Sequence, residues 1–135
     1  MSAWPPEGYA QMRLVDPFEI HVGPVFETGP RGERSFLFRV DEQHTNRRLV
    51  VHGGMLLTLA DLTLGAAAID VSDEPSVTLG MQTQFLKPAR VGDVIEVKPE
   101  VVRRTRALIF IRGDFRVTGE VIFTAGSVWK LLGKD

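Results

Sequence analysis

The sequence predicts an α+β fold in which one long apolar helix is wrapped by a curved antiparallel β-sheet. Its 135 residues suit a single domain that spans 1–135. From Leu49 to Ile69 apolar residues fill almost every turn, so a helix here would be buried on most sides. Most of the remaining chain alternates apolar and polar residues between turn signals, as strands do. A sheet curved around one helix would bury both patterns together.

The elements ahead of the helix are marked by turn residues. Residues 1–17 contain several Pro and Gly residues and predict an irregular or short helical extension. Phe18 to Phe26 and Ser35 to Val40 predict two strands joined by a turn rich in Gly and Pro. The long helix should begin close to His52–Gly54 and end near Ile69 or Asp70, before the loop SDEPS.

Four strands should follow the helix and complete an antiparallel meander. Ile95, Val97 and Val101 predict a buried face, with a bulge or edge position at Pro99. The last two strands are Thr105–Val117 and Glu120–Leu131, with a turn between them. In the first of the four, strict alternation places Val77, Leu79, Met81, Thr83 and Phe85 on one face and Thr78, Gly80, Gln82 and Gln84 on the other.

Composition argues against several classes of function. The net charge is −1, so no basic field predicts binding to nucleic acid or to a membrane surface. The chain has no cysteine, and its three histidines lack the spacing of a metal site, so we expect no metal. The first residues do not form a signal peptide, and we expect a cytoplasmic protein. The apolar run has the length of a membrane span, but its Gly-Gly pair and its central Asp argue against insertion.

Asp61 is the main candidate for chemistry, because it is a lone carboxylate in the apolar helix. A buried carboxylate costs several kcal/mol unless it is paired, hydrogen-bonded or used. At the start of the helix, Gly53 would leave backbone N–H groups accessible to an oxygen that gains negative charge. The alternative for Asp61 is a structural acid, held by a hydroxyl such as that of Thr58 or by an arginine across an interface.

Gly53 and Asp61 are too far apart on one helix to act on the same carbonyl group. Eight residues along a helix span about 12 Å, so Asp61 cannot act on a carbonyl held by Gly53 of its own chain. Two such helices, antiparallel about a two-fold axis, would bring Asp61 of one chain towards Gly53 of the other and create two equivalent sites. If the protein is an enzyme, its sites should therefore lie between subunits.

The pattern Asn46-x5-His52-Gly53-Gly54-x6-Asp61, followed by Gly65 and Ala66, resembles the hotdog-fold acyl-CoA thioesterases of the phenylacetate-pathway (PaaI) type. The later segment TLGMQTQFLKPARVGD is similar to that family's strand and turn. The resemblance extends over most of the chain. It implies a hotdog fold, an acyl-CoA substrate, hydrolysis without a metal or redox cofactor, and a homodimer that pairs again into a homotetramer.

The resemblance also implies roles for individual residues. The backbone N–H of Gly53 would polarise the thioester carbonyl, and Asp61 of the facing subunit would be the nucleophile or the general base. Asn46 would orient the carbonyl or the water, His52 would hold the loop, and Thr78 would place a hydroxyl near the carboxylate. Each has a structural alternative: a turn residue or cap for Asn46, a hydrogen-bonded loop residue for His52, and a strand residue for Thr78.

One position departs from the family pattern. Family members usually carry Gly where Leu49 stands, and a bulky Leu could alter the loop that presents Asn46 or fill part of the acyl pocket. Apolar residues of the helix and the facing strands should line that pocket, which suits an aryl or medium-chain acyl group. The candidates for contact with the substrate are Gly54, Met55, Leu59 and Met81.

The main concentration of basic residues could contact coenzyme A. Charged runs usually form a solvated surface. The alternative, which the resemblance favours without selecting individual residues, is that these side chains bind the CoA phosphates. The residues concerned are Lys87, Arg90, Arg103, Arg104 and Arg106.

Two other functions stay open. A hotdog hydratase or dehydratase would act on similar thioesters, but such sites generally pair a His with an acid in a different arrangement. A non-catalytic protein could bind an acyl-CoA or an aromatic metabolite, although a pure binder has no need of an unpaired buried carboxylate. The order of the HGG turn and Asp61 therefore favours hydrolysis.

Overall fold

A long helix packed against an antiparallel sheet forms the core of the protein. The computed structural model describes residues 3–134, and within them the sheet has eight strands, so the predicted fold class is confirmed. In chain order the elements are β1 (Ala10–Gln11), α1 (Pro17–Val22), β2 (Phe26–Thr28), β3 (Ser35–Arg39), a 3₁₀ turn (Glu42–His44), α2 (Gly53–Ser72), β4 (Ser76–Phe85), β5 (Val94–Val97), β6 (Glu100–Arg104), β7 (Leu108–Val117) and β8 (Glu120–Leu131).

The strands pair in the order β1-β2-β3-β5-β7-β8-β4, and β6 also pairs with β7. β5 and β6 lie along the same edge of β7 and are separated by Lys98 and Pro99. The prediction of four strands after α2 is therefore wrong: the strand expected around Pro99 is divided in two, and five strands follow the helix in the described part of the chain. The predicted meander is also wrong for β4, which pairs with β8 and not with β5. β4 pairs with β8 alone among the described strands. The other backbone edge of β4 is therefore open in the single chain.

The inner face of the sheet and one side of α2 bury the largest apolar side chains. Leu59 and Leu64 of α2 are buried against residues such as Phe115 and Phe123. Gly65 permits a close approach, because a Cβ atom there would lie 2.9 Å from the indole ring of Trp129. α2 is long and apolar enough to cross a membrane, but most of it is buried inside this fold.

The prediction of a strand from Phe18 to Phe26 is wrong for most of its length. Residues 17–22 form α1, because Asp16 Oδ1 accepts the N–H of Glu19 at 2.7 Å and Pro17 begins the first turn. The sequence DPFE carries this cap signal, which the strand pattern obscured. Ahead of α1 the chain is irregular apart from β1, as far as residues 3–16 show. Residues 1 and 2, which belong to the predicted extension, lie outside the described residues.

Two other boundaries differ from prediction. α2 begins as predicted but continues to Ser72, because Asp73 adopts a left-handed conformation (φ 56°) and its N–H closes on the carbonyl of Ile69. No glycine marks this helix end in the sequence. Val101, predicted to be buried, is 37% exposed, since the chain breaks at Pro99 and the register shifts again after Val101.

A largely buried ion-pair cluster ties the end of α2 to β2 and β3. The Asp70 side chain is only 6% exposed and accepts two hydrogen bonds from Arg34, at 2.7 Å from Nε and 2.8 Å from Nη2. Arg34 also pairs with Glu27, and the N–H of Gly32 donates to Asp70. Burial alone would lower the pKa of Arg34, but the contacts with the two carboxylates raise it. The arginine therefore stays charged.

Replacing Asp70 with Asn should lower the free energy of unfolding by about 3 kcal/mol, because it removes the bidentate acceptor of a largely buried arginine. Urea unfolding of wild type and variant measures the difference. Glu100→Gln is the matched control, since its exposed pair with Arg112 should contribute less than about 1 kcal/mol. Equal, small losses in both variants would mean that the cluster adds little to stability.

Candidate active site

His52 organises the amino end of α2. Its Nδ1 accepts the N–H of Gly54 at 2.8 Å, so the imidazole caps the helix. The backbone N–H of His52 donates to the carbonyl of His44 at 2.8 Å, which holds the preceding loop. Because the cap uses the Gly54 N–H, the N–H of Gly53 is left without an acceptor among residues 3–134. A free donor therefore lies at the positive end of the helix dipole.

The ring of Phe85 lies beside this free donor. A Cβ atom on Gly53 would lie 3.3 Å from the ring, which is tighter than ordinary contact. Phe85 packs on Phe123 with ring centroids 4.9 Å apart, yet 54% of Phe85 is exposed. The glycine thus keeps the donor open beside an exposed aromatic surface of β4.

Asn46 begins the tight turn that leads towards α2. Its N–H donates to the carbonyl of Val50 at 2.9 Å, and its own carbonyl accepts from Leu49 at 2.9 Å. The side-chain Oδ1 accepts the N–H of Arg48 at 2.8 Å. Asn46 is therefore a turn residue, which is the structural alternative expected for it from the sequence. The turn does not use the two Nδ2 hydrogens of its side chain, so they are available as donors.

Leu49 adopts the backbone conformation that explains a family glycine at its position. Its φ is +62°, in the left-handed region that costs a branched residue roughly 1–2 kcal/mol and costs glycine almost nothing. The turn keeps its hydrogen bonds although Leu49 stands where the family usually has glycine, and the Leu49 side chain is exposed in the single chain. The change to the Asn46 loop that was predicted for a bulky Leu49 is thus confined to backbone strain.

Asp61 is exposed in the single chain, so the prediction that it is buried is wrong for the isolated subunit. One stripe of α2 runs along the margin of its packing against the sheet, and its members are four residues apart because such residues lie on the same face of a helix. Leu57, Asp61, Gly65 and Ile69 form this stripe, and both Leu57 and Ile69 are more than 40% exposed. Asp61 thus lies at the margin of the core, between exposed apolar residues of its own helix.

Thr78 holds the carboxylate of Asp61. Its Oγ1 donates to Asp61 Oδ1 at 2.6 Å, which leaves Oδ2 open. The predicted face of β4 is wrong before Met81, because a β-bulge at Leu79 shifts the register between Thr78 and Gly80. Thr78 consequently shares the inner face with Met81. Strict alternation would have placed its hydroxyl on the outer face, away from Asp61.

Asp61 lines a cavity of about 410 Å³. One wall is the exposed stripe of α2 with Trp129 behind it, and the opposite wall is the N-terminal segment at Met12 and Val15. The Arg34 cluster lies at the far end, because its Asp70 is nine residues, or about 13 Å, along α2 from Asp61. Most of this cavity wall lies in residues for which no role was predicted.

Glu19 of α1 also lines the cavity and was missed from the sequence, where it fell in a predicted strand. Burial raises the pKa of Glu19, and the negative charges of Asp16 and Asp61 raise it further. Its carboxyl group thus experiences the charge of Asp61 across the cavity. The capping pattern around Asp16 was the signal that could have placed it on a helix.

The candidate residues fall into two groups that one chain does not bring together. The donor half-site consists of Asn46, His52 and Gly53, and the acid half-site consists of Asp61 and Thr78. About 12 Å of helix separates Gly53 from Asp61. The structure therefore agrees with the spacing derived from the sequence, and each chain presents two halves.

The predicted substrate contacts are distributed unevenly. Met55 is buried in the core, Met81 is partly buried on the inner face of β4, and Gly54 is exposed. Lys87 pairs with Glu120 at 2.7 Å, close to the amino end of α2. Arg104 donates to the carbonyl of Val71 at the opposite end. Arg103 precedes Arg104 on β6, where it lies opposite Phe110 of β7, and its side chain is exposed.

The basic residues consequently do not form one cluster in a single chain. Val71 and Gly53 are about 27 Å apart along α2, so Arg104 and Lys87 mark opposite ends of the helix. Within residues 3–134, no group of three His, Asp or Glu side chains is arranged to hold a metal ion.

The chain is similar to known proteins over most of its length. The model of the thioesterase superfamily matches residues 50–123. The Pseudomonas aeruginosa protein PA0474, provisionally named an esterase, is 31% identical over 129 residues, which are 93% of this chain and 96% of that protein. Acyl-coenzyme A thioesterase 13 of Mus musculus is 30% identical over 88 residues, and the match covers 62% of each protein.

Solved structures share the fold. The phenylacetic acid degradation protein PaaI of Thermus thermophilus superposes with a TM-score of 0.78 at 23% identity, over 87% of this chain and 100% of that one. At this identity the similarity establishes the fold alone. Together with the family match, it confirms the hotdog fold and the resemblance drawn from the HGG and Asp61 spacing.

Replacing Leu49 with Gly should raise the free energy of unfolding by about 1 kcal/mol, because glycine takes the left-handed conformation without steric cost. Urea unfolding measures the change. Leu86→Gly is the control, since Leu86 is equally exposed but its φ is not positive, and there glycine should destabilise the protein. Loss of stability in both variants would show that Leu49 is not strained.

Proposed function

This chain belongs to the thioesterase superfamily and is a thioester hydrolase, and we propose that it cleaves acyl-CoA at sites shared between two subunits. The observation that carries the proposal is the carboxylate of Asp61, which Thr78 holds by one oxygen at 2.6 Å and which lines a cavity. An ionised, oriented carboxylate on an otherwise apolar surface is suited to act on a carbonyl carbon or on a water molecule.

The surface around Asp61 supports a two-fold dimer. Leu57 on α2, with Leu79 and Phe85 on β4, are 41–55% exposed. The open edge of β4 adds unpaired backbone groups. Apolar patches and free strand edges of this kind are typical of interfaces. A second copy covering this surface would bury Asp61, as the sequence led us to expect, and would bring the two half-sites together.

In this arrangement the donor half-site of one subunit binds the thioester carbonyl. The free N–H of Gly53 donates to the carbonyl oxygen, and the helix dipole favours the negative charge that develops on it. His52 keeps that N–H free by capping Gly54 in its place. The Nδ2 hydrogens of Asn46 are available to orient the carbonyl or the attacking water.

The acid half-site of the facing subunit supplies the attacking group. As a general base, Asp61 takes a proton from water while the water oxygen bonds to the carbonyl carbon. The tetrahedral oxyanion then collapses, the carbon–sulfur bond breaks, and the CoA thiolate takes the proton from Asp61. As a nucleophile, Asp61 itself displaces the thiolate to form an anhydride, which water hydrolyses to the free acid. Thr78 steadies the carboxylate in either route.

Further features of the proposed enzyme come from the sequence and from the family resemblance. These are an aryl or medium-chain acyl group, a dimer of dimers, a cytoplasmic location and hydrolysis without a metal or redox cofactor. Binding of the CoA phosphates by Lys87, Arg103 or Arg104 also stays a prediction. In an antiparallel dimer that brings Asp61 level with Gly53 of the other chain, Val71 and the bound Arg104 lie about 15 Å beyond the amino end of the other α2.

Asp61→Asn should reduce kcat for acyl-CoA hydrolysis by about a thousandfold or more, because the amide keeps the size of the side chain and loses its basicity. Free-thiol release from aryl-acetyl, benzoyl and straight-chain acyl-CoA substrates measures the loss. Asp73→Asn makes the same chemical change at the residue that caps the carboxyl end of α2. Asp73 does not line the cavity, so this variant should leave kcat unaltered. Equal turnover by wild type and Asp61→Asn would refute the assigned role of Asp61.

A further inference from the structure

The cavity beside Asp61 has apolar sides and a charged far end. Leu62, Ala66, Ile69 and Trp129 provide the apolar surface on the side of α2 and the sheet. Beyond them lie Arg34 and the two carboxylates that surround it. An acyl group whose carbonyl carbon lies at Asp61 can extend along this apolar surface, so its distal end approaches the Arg34 cluster.

The charges along this cavity do not balance. Its basic residues are Arg13 and Arg34, and its acidic residues are Glu19, Glu27, Asp61 and Asp70, so the ionised lining carries a net charge of −2. The charge of Arg34 is already part of this sum, and its donors are occupied by Asp70, at Nε and Nη2, and by Glu27, at Nη1. Arg31, which lies outside the lining, also pairs with Asp70 at 3.4 Å and offsets part of the charge of that carboxylate, so Glu19 and Glu27 carry most of the remaining excess. An anion at the distal end would therefore meet carboxylates and an arginine that is already paired.

The anionic end of coenzyme A is a poor occupant of such a cavity. Its phosphates would be repelled by the acidic lining, whereas an uncharged hydrocarbon or ring matches the apolar sides. The acyl group, not the nucleotide, is thus the part of the substrate that fits here.

We propose that Glu19 and Glu27 are specificity-determining residues, which restrict the acyl pocket to uncharged acyl groups and reject acyl groups that end in a carboxylate. This inference rests on the proposed acyl-CoA hydrolysis at Asp61. Glu19 acts from α1 and Glu27 from β2, both ahead of the segment 50–123 that matches the family model. The selectivity is therefore a property of this chain's N-terminal part.

The geometry makes Glu27→Gln an informative change. Glutamine keeps an oxygen that can accept from Arg34 Nη1, and the Asp70 contacts of the arginine are untouched. The substitution removes one negative charge from the far end of the cavity. Glu19→Gln removes a second charge from the opposite wall, and the double variant leaves a lining with no net charge.

The test compares kcat/KM for hexanoyl-CoA and glutaryl-CoA, whose acyl groups extend equally far because a carboxylate oxygen of glutaryl takes the place of the terminal methyl carbon of hexanoyl. Wild type should prefer hexanoyl-CoA by about a hundredfold, and each Glu→Gln change should narrow that ratio by about tenfold. Glu33→Gln is the matched control: this exposed glutamate lies one residue from Arg34 but outside the cavity, and it should leave the ratio unchanged.

The outcomes separate this inference from the function on which it rests. Hydrolysis of hexanoyl-CoA with a ratio that neither variant alters refutes the role of Glu19 and Glu27 and leaves the thioesterase proposal intact. Equal kcat/KM values of wild type for hexanoyl-CoA and glutaryl-CoA would also refute the role of Glu19 and Glu27 and leave the thioesterase proposal intact. Failure of wild type to hydrolyse any acyl-CoA refutes the proposed function and this inference together. A ratio that narrows in both variants and not in the control supports the inference.

Discussion

The rigidity of α2 constrains every other feature of the proposed site. Gly53 and Asp61 are fixed to one helix about 12 Å apart, and neither can move towards the other without breaking backbone hydrogen bonds. The sheet holds that helix by close packing, including the contact of Trp129 with Gly65. A chemistry that needs both groups must therefore take them from two helices. The exposed apolar stripe and the open edge of β4 provide a surface for that second copy.

The fold could be predicted from the sequence because its strongest signals are long and consistent. The apolar run of α2 and the alternation of β8 extend over whole elements, and their type does not depend on one residue. Local features proved harder to predict. α1 depends on the cap of Asp16, and the inner face of β4 depends on one bulge residue, Leu79. In both places a short-range backbone feature overrides the hydrophobic pattern.

The site residues that belong to a motif of fixed spacing could be predicted from the sequence. Those that reach the site only through tertiary contacts could not. The sequence identified Gly53, Asp61 and Thr78, but simple alternation would have turned Thr78 to the outer face. The burial expected for Asp61 requires a partner surface, which no single-chain pattern reveals. Glu19 and Glu27 lie far from Asp61 in sequence, and only the folded N-terminal part brings them to its cavity. In the proposed enzyme, the catalytic groups and the acyl selectivity come from different parts of the chain.

The most direct test of the shared site is complementation between two inactive variants. Gly53→Pro removes the backbone donor while keeping a residue favoured at the first helical position, and the extended backbone of His52 is compatible with a following proline. The exposed ring of Phe85 has to shift by only a few tenths of an ångström to admit the proline Cβ. Asp61→Asn removes the acid. A mixed dimer of the two contains one intact site, so co-folded chains should recover about one quarter of wild-type activity. Activity no greater than that of the separate variants would contradict a site built from two subunits.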